Sequence, residues 1–375
     1  MVYLDYCATT PLDDRVADLM DSVEREVYGN PSSIHRLGQN ARAKVEVARR
    51  QVAAAIGAEP SEIIFTGSGS EASNIVLWDV FQREGKHIVL SAVEHPCVIN
   101  TARAVARLGV EVTEIAVDST GRVELSDVVD NIRPDTALVT IMTANNEAGT
   151  VQPVEEIGEI CREKGVRFHS DAVQALGKIE IDYITDGPNT AGFSAHKIYG
   201  PKGVGALYVQ KGVKLHPLVY GGGQEQTLRA GTENVAGIAG FGLAAEIATG
   251  KISDETPRLE GLRERISVEF PSAFIYGHEE HHLPGVLTIG FPGVDGQNLL
   301  MKLDLDGFAV STGSACSSGT TKSSSTLKAM GLSDDECQSV LRISPGRFTT
   351  ESDVEAFLAS LLSHVHDNSA VEAMA

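Results

Sequence analysis

The sequence predicts an α/β protein: a large domain with a mostly parallel sheet flanked by helices, plus a smaller α+β domain. Three observations predict it. Short apolar runs rich in β-branched residues alternate with amphipathic stretches, as strand–helix repeats do. The pattern changes after about residue 250. A chain of 375 residues is also long enough for one large core and a second, smaller one.

Taken in order, EIIFT (62–66), HIVLS (87–91), TALVTIM (136–142), VRFHS (166–170) and GALYV (205–209) read as buried strands. Segments 38–56, 70–84, 96–108 and 154–164 read as the helices between them. Beyond residue 250 come LEGLRERISVEF, a hairpin-like PGVLTIGFPGV, and two helix starts of capping-box form, SDDE (333–336) and TESD (350–353). The expected division is 15–250 for the large domain, and 1–14 with 251–375 for the small one.

Composition narrows the function classes. Apolar residues make up 42% and charged residues 22%, with no apolar run near membrane length, so no membrane role is expected. The start, MVYLDYCATTP, has neither a basic nor a long apolar region, which argues against a secretory signal. A net charge of −20 opposes direct contact with nucleic acid or anionic lipid. Five cysteines (Cys7, Cys97, Cys161, Cys316 and Cys337) are odd in number and form no CxxC pair. They indicate neither a disulfide framework nor a zinc site, and point to a reducing, cytoplasmic setting.

Open α/β sheets bind ligands beyond the carboxyl ends of their strands, so the residues there carry the functional question. GSGSE (67–71) opens a helix whose first N–H groups suit a phosphate; a plain glycine turn is the alternative. It completes no GxGxxG fingerprint, which argues against a nicotinamide oxidoreductase. His95 in SAVEHPCV, Asn145 and Asn146 in TANNEAG, and Asp171 and Gln174 in HSDAVQALGK fall at the same edge. His95 by itself reads as a structural histidine. Asp171, straight after a buried strand, needs a cationic partner: a protonated ring nitrogen or an arginine. GFSAHKIYGPKG adds Ser194, His196 and Lys197. Together these supply what pyridoxal 5'-phosphate requires: a lysine for the covalent link, an acid opposite the pyridinium nitrogen, and a phosphate cradle.

The motifs YLDYCATTP, GNPSSIHRLG, NNEAG, SDAVQALGK, SAHKIYGPKG, YGGGQEQTLRAGTENV, STGSACSSG and LRISPGRFTT span nearly the whole chain. On them the sequence resembles the cysteine desulfurases of the nitrogen-fixation and iron–sulfur-cluster type, which are fold-type I pyridoxal-phosphate enzymes of the class V aminotransferase-like group. The resemblance implies that Lys197 carries the cofactor and Asp171 pairs with its ring nitrogen. Gln174 would bond the phenolic oxygen, and His95 would stack on the ring and move protons. Gly69, Ser70, Ser194 and His196 would hold the phosphate, with Thr232 reaching over from a second copy of the chain. Asn146 and Arg342 would orient L-cysteine, Arg342 by gripping its carboxylate.

Cys316 is the implied nucleophile. The small and hydroxyl residues of STGSACSSGTTKSSST suit a mobile, exposed loop that could carry it to substrate and partner. The implied products are L-alanine and a Cys316 persulfide for an acceptor protein: an iron–sulfur scaffold, or an enzyme of tRNA or DNA thiolation. A homodimer without metal is implied. A selenocysteine lyase or β-eliminating cysteine lyase on the same fold is the rival, although elimination needs no cysteine-bearing arm. A non-catalytic scaffold of a sulfur-transfer complex is the other, against which Lys197, His95, Asp171 and Cys316 all count. The chain departs from the family pattern at GSGSE, which replaces the more usual alanine–threonine pair although Ser70 keeps the hydroxyl, and at QEQTLRAG, which lacks the extra basic residue common before Arg229. Cys97, Cys161 and Cys337 read as inert helix fillers and Cys7 as structural. HEEHH (278–282) reads as a solvated loop, and His35 as ordering a loop near the N-terminus.

Overall fold

The computed structural model describes residues 1–183, 187–312 and 323–372. Its strands are β1 (Val2–Tyr3), β2 (Ile63–Thr66), β3 (His87–Ser91), β4 (Glu111–Ile115), β5 (Thr136–Thr140) and β6 (Arg167–Asp171). They continue with β7 (Thr190–Ser194), β8 (Gly205–Val209), β9 (Phe274–Tyr276), β10 (Leu287–Gly290), β11 (Phe308–Ala309) and β12 (Val340–Ile343). A seven-stranded sheet runs β2-β8-β7-β6-β5-β3-β4. Its strands from β4 to β7 are parallel; β8 is antiparallel to both its neighbours, so β2 beyond it again runs in the direction of the parallel set. Helices Gly69–Phe81, Pro96–Ala106 and Val154–Lys164 connect parallel strands, as the alternating pattern predicts.

Two strands of this sheet escape the periodicity. β4 lies at the edge and is half-exposed, so its sequence EVTEI is mostly polar. β7 is fully buried yet reads TAGFS, because helix Gly69–Phe81 packs directly on it. A Cβ at Gly192 would already touch Ser73 Oγ at 3.4 Å and Ala72 Cβ at 3.5 Å. Close helix–sheet contact there selects small residues over the large β-branched ones that announce a strand.

Helix Val235–Thr249 is apolar on all sides because it is enclosed, packing against helices Asp14–Glu26 and Arg36–Ala54. Among the described residues no single helix is long and apolar enough to cross a membrane. His35 caps helix Arg36–Ala54, its Nδ1 accepting from the Gly38 N–H at 3.2 Å.

A second core gathers Leu4 with residues between Leu262 and Leu361. Here β10 is the centre of an antiparallel sheet, β12-β10-β9, while β1 pairs with β11. The hairpin expected within PGVLTIGFPGV is therefore corrected: its apolar run is one central strand with partners on both sides. Both capping boxes form, between Ser333 and Glu336 and between Thr350 and Asp353. The HEEHH loop is less solvated than expected, since His282 Nε2 sits 3.1 Å from the Glu260 carboxylate with its side chain largely buried.

Candidate active site

β3, β5, β6 and β7 end at the same edge of the sheet, and a cavity of about 330 Å3 lies beyond them. Gly69, Ser70, His95, Asn146, Asp171, Gln174, Ser194, His196, Lys197 and Arg342 all line it. Thr232 is exposed and stands outside this cavity. Cys316 lies outside the described residues.

Lys197 closes the short turn Ala195–Lys197 that follows β7, and its Nζ donates to the carbonyls of Cys7 and Ala8 at 2.7 Å each. Asp171 is the last residue of β6. Its Oδ1 accepts from the Val173 N–H at 3.0 Å. Burial pushes its carboxyl pKa up, and His95 and Lys197 pull it back only in part. Such an acid is poised to gain from a cation brought into the cavity.

His95 caps helix Pro96–Ala106, with Nδ1 accepting from the Cys97 N–H at 3.2 Å. That bond places the proton of the neutral ring on Nε2. Burial lowers the ring's pKa against the opposing pull of Asp171.

The other end of the cavity suits an anion. Gly69 begins helix Gly69–Phe81, and a Cβ there would lie 2.4 Å from Val173 Cγ2. Ser68 caps the helix by accepting from the Glu71 N–H. The N–H groups of Gly69 and Ser70 have no partner within the helix and stand at the positive end of its dipole. His196 lies beside them in the cavity wall, its Nδ1 3.1 Å from Thr9 Oγ1. Burial, helped by the positive charges of Lys197, Lys202 and Lys178, pulls its pKa down to about 4, so the ring is neutral at pH 7.

Arg342 comes from β12, which puts the cavity between the two cores. Its Nη1 donates to the Asn146 carbonyl at 2.8 Å and its Nη2 to Asp5 Oδ1 at 2.6 Å. Its Nε is buried and has no partner among the described residues.

Several neighbours were not legible as site residues. Cys97, expected to be inert filler, lines the cavity with Sγ 3.9 Å from Asp171 Oδ2, and burial pushes its thiol pKa up. Cys7 contributes its carbonyl, which accepts from both Lys197 and Gln174. Only the closeness of Cys97 to His95 in sequence could have signalled its position. His95, Cys97 and Asp171 bring possible ligand atoms within 4.8 Å of one another. The positive Lys197 side chain, which acts electrostatically on both His95 and Asp171, opposes a divalent metal ion there.

Residues 2–357 match the family described as aminotransferase class-V. The chain belongs to that family. Within it, the chain is 43% identical over 360 residues to the protein named cysteine desulfurase IscS of Dictyoglomus turgidum, covering 94% of this chain and 91% of that one. A solved NifS-like protein superimposes with a TM-score of 0.92 at 39% identity, over 97% of this chain and 99% of that one. The solved structure described as SspA in complex with cysteine gives a TM-score of 0.83 at 33% identity, over 93% and 100%. The strand-end cavity of this class-V chain thus occurs in a fold shared along nearly its whole length with these proteins.

Proposed function

We propose that the chain is a pyridoxal-phosphate-dependent cysteine desulfurase. It takes sulfur from L-cysteine, releases L-alanine and leaves a persulfide on Cys316 for an acceptor protein. The observation that carries this reading is the convergence of Lys197, Asp171, His95 and Arg342 on one cavity, in a chain 43% identical to a named cysteine desulfurase.

The residues fit the cofactor. A Gly69 position that a Cβ would fill leaves two helix N–H groups for a phosphate, with Ser194 and neutral His196 beside them. Asp171 is buried, and among the described residues its carboxylate accepts from the Val173 N–H, so a protonated ring nitrogen would bring it a direct cationic partner. When bound, pyridoxal phosphate supplies an electron sink for the substrate's bonds. Lys197 would hold it and Asp171 would keep a proton on its ring nitrogen. Gln174 would offer an N–H to its ring oxygen, and His95 would accept or return a proton. Arg342, with its free Nε, and Asn146 orient the substrate carboxylate.

The Cys316 thiolate then attacks the substrate sulfur. An S–S bond forms, the substrate Cβ–S bond breaks, and the released carbon takes a proton to become alanine. Chain geometry supports this role. Ser311 exchanges backbone hydrogen bonds with Arg342, and Cys316 follows Thr312 by four residues, within ~14 Å of extended chain.

We also infer a homodimer in which exposed Thr232 completes a second copy's phosphate site, cytoplasmic location, and the domain division 15–250 against 1–14 with 251–375. The two separate cores support that division.

The test is to supply L-cysteine to the cofactor-loaded protein, measure alanine, and map sulfur adducts by mass spectrometry. Cys316→Ser is expected to bind cofactor and lose at least ~100-fold in alanine output, about 2.7 kcal/mol of barrier. Near-normal alanine from that variant would overturn the role of Cys316 and leave the lyase reading in its place.

A further inference from the structure

Lys178 has no role in the chemistry above, yet it stands directly behind it. It follows Gln174 by four residues, and its Nζ donates to Gln174 Oε1 at 2.5 Å. Among the described residues no carboxylate pairs with it. Burial lowers its pKa, with Cys7 opposing that shift and Arg342 adding to it. His196 in turn feels its charge. Tyr6, Tyr199, Glu255 and Lys197 share with it a second cavity of about 40 Å3.

The far end of the Gln174 amide is held as well. Nε2 donates to the Cys7 carbonyl at 2.9 Å, the same carbonyl that accepts from Lys197 Nζ. An ammonium has no lone pair to accept with, and a carbonyl has no proton to give. The two neighbours therefore permit only one orientation of the amide, with Oε1 on Lys178 and Nε2 on Cys7. Nε2 carries a second N–H, and Gln174 lines the main cavity. A partly buried ammonium whose hydrogen-bond partner is a neutral amide also gains when an anionic atom comes near.

We propose that Lys178 is a positioning residue: it locks Gln174 with an N–H toward the cavity and places a positive charge behind it, so that the wall receives an anionic ring oxygen. This rests on the cofactor reading above. A residue that merely tied the 172–178 turn together would affect stability and leave the cofactor's ionisation alone.

The experiment uses the full chain loaded with pyridoxal phosphate. It reads cofactor affinity and the pH midpoint of the bound cofactor's absorbance change in Lys178→Met and, as a second uncharged variant, Lys178→Gln. Loss of a nearby positive charge makes it easier for the nitrogen joining Lys197 to the cofactor to keep its proton. The midpoint is expected to rise by about one pH unit and affinity to fall about tenfold. Lys178→Arg, which restores charge and donor, is expected to return the midpoint toward the wild-type value. Wild-type midpoint and affinity in both uncharged variants would overturn the proposal while leaving the cofactor reading intact. Failure of the wild-type chain to take up pyridoxal phosphate would overturn both.

Discussion

Arg49 and Glu225, 176 positions apart, form a two-point ion pair inside the protein: Nη1 meets Oε2 at 2.8 Å and Nη2 meets Oε1 at 2.7 Å. Both side chains are buried. Arg49 also donates to the Ile63 carbonyl, and Glu225 accepts from the Phe65 N–H, so the pair is stitched into β2. Glu225 begins three successive residues with positive φ, at 44°, 56° and 69° for Glu225, Gln226 and Thr227. Side-chain-bearing residues enter that region only when the surroundings hold them there. The ion pair helps hold the segment leading to Arg229 and Thr232, together with Gln226 Nε2 donating to the Ser61 carbonyl at 2.8 Å and Arg229 Nε to Glu71 at 2.9 Å.

Removing Arg49 alone should therefore be severe. Arg49→Met leaves Glu225 charged and buried, and is expected to cost about 3–5 kcal/mol in urea unfolding. The double variant Arg49→Met/Glu225→Gln should recover part of that loss. Equal losses in the single and double variants would show that the pair does not act as a unit.

Gly69→Ala should act through one contact. The new methyl would sit 2.4 Å from Val173 Cγ2, so Val173 or the helix start must move. Overpacking of this kind costs about 1–3 kcal/mol, and the displaced N–H groups should hold phosphate less well. Val173→Ala in the same chain removes the clash. Thermal unfolding and cofactor affinity of the pair should lie nearer the wild type than those of Gly69→Ala; no recovery would refute the contact as the cause.

Glu94 gives a prediction in pH. It is wholly buried behind β3, its Oε1 accepting from Ser91 and from the Met142 N–H, while Oε2 has no partner among the described residues. Burial pushes its pKa up to about 8 from an ordinary 4.5. Between those values the folded state keeps a proton that the unfolded state has released, so stability falls as pH rises. From pH 6.5 to 8 the loss attributable to Glu94 is ~2 kcal/mol. Below pH 6.5 buried His169, with its pKa pulled down to about 4 by burial, contributes the opposite slope, which makes the upper window the cleaner one. Glu94→Gln should flatten stability from pH 6.5 to 8 in chemical denaturation. An unchanged slope would mean that Glu94 is ionised in the folded protein.

The sequence by itself determined the alternating architecture and most of the cavity wall. Asp171 ends a strand and Lys197, Gln174 and His95 each follow one within a few residues; strand ends share one edge of a parallel sheet, so position in the chain translates directly into position in space. Only the tertiary structure decided the rest. Arg342 reaches Asp5 across 337 positions, and no local pattern records such a pairing. Cys97 reads as an apolar helix residue because its neighbours in sequence are helical; its neighbour in space is Asp171, from another strand. β7 hides because the close approach of a helix replaced the expected bulky residues with Ala191 and Gly192. That Lys178 meets a Gln174 which lines the cavity likewise depends on the fold. Periodicity reports which face of an element is buried, whereas the identity of what it is buried against depends on contacts between distant segments, which form only when the chain folds.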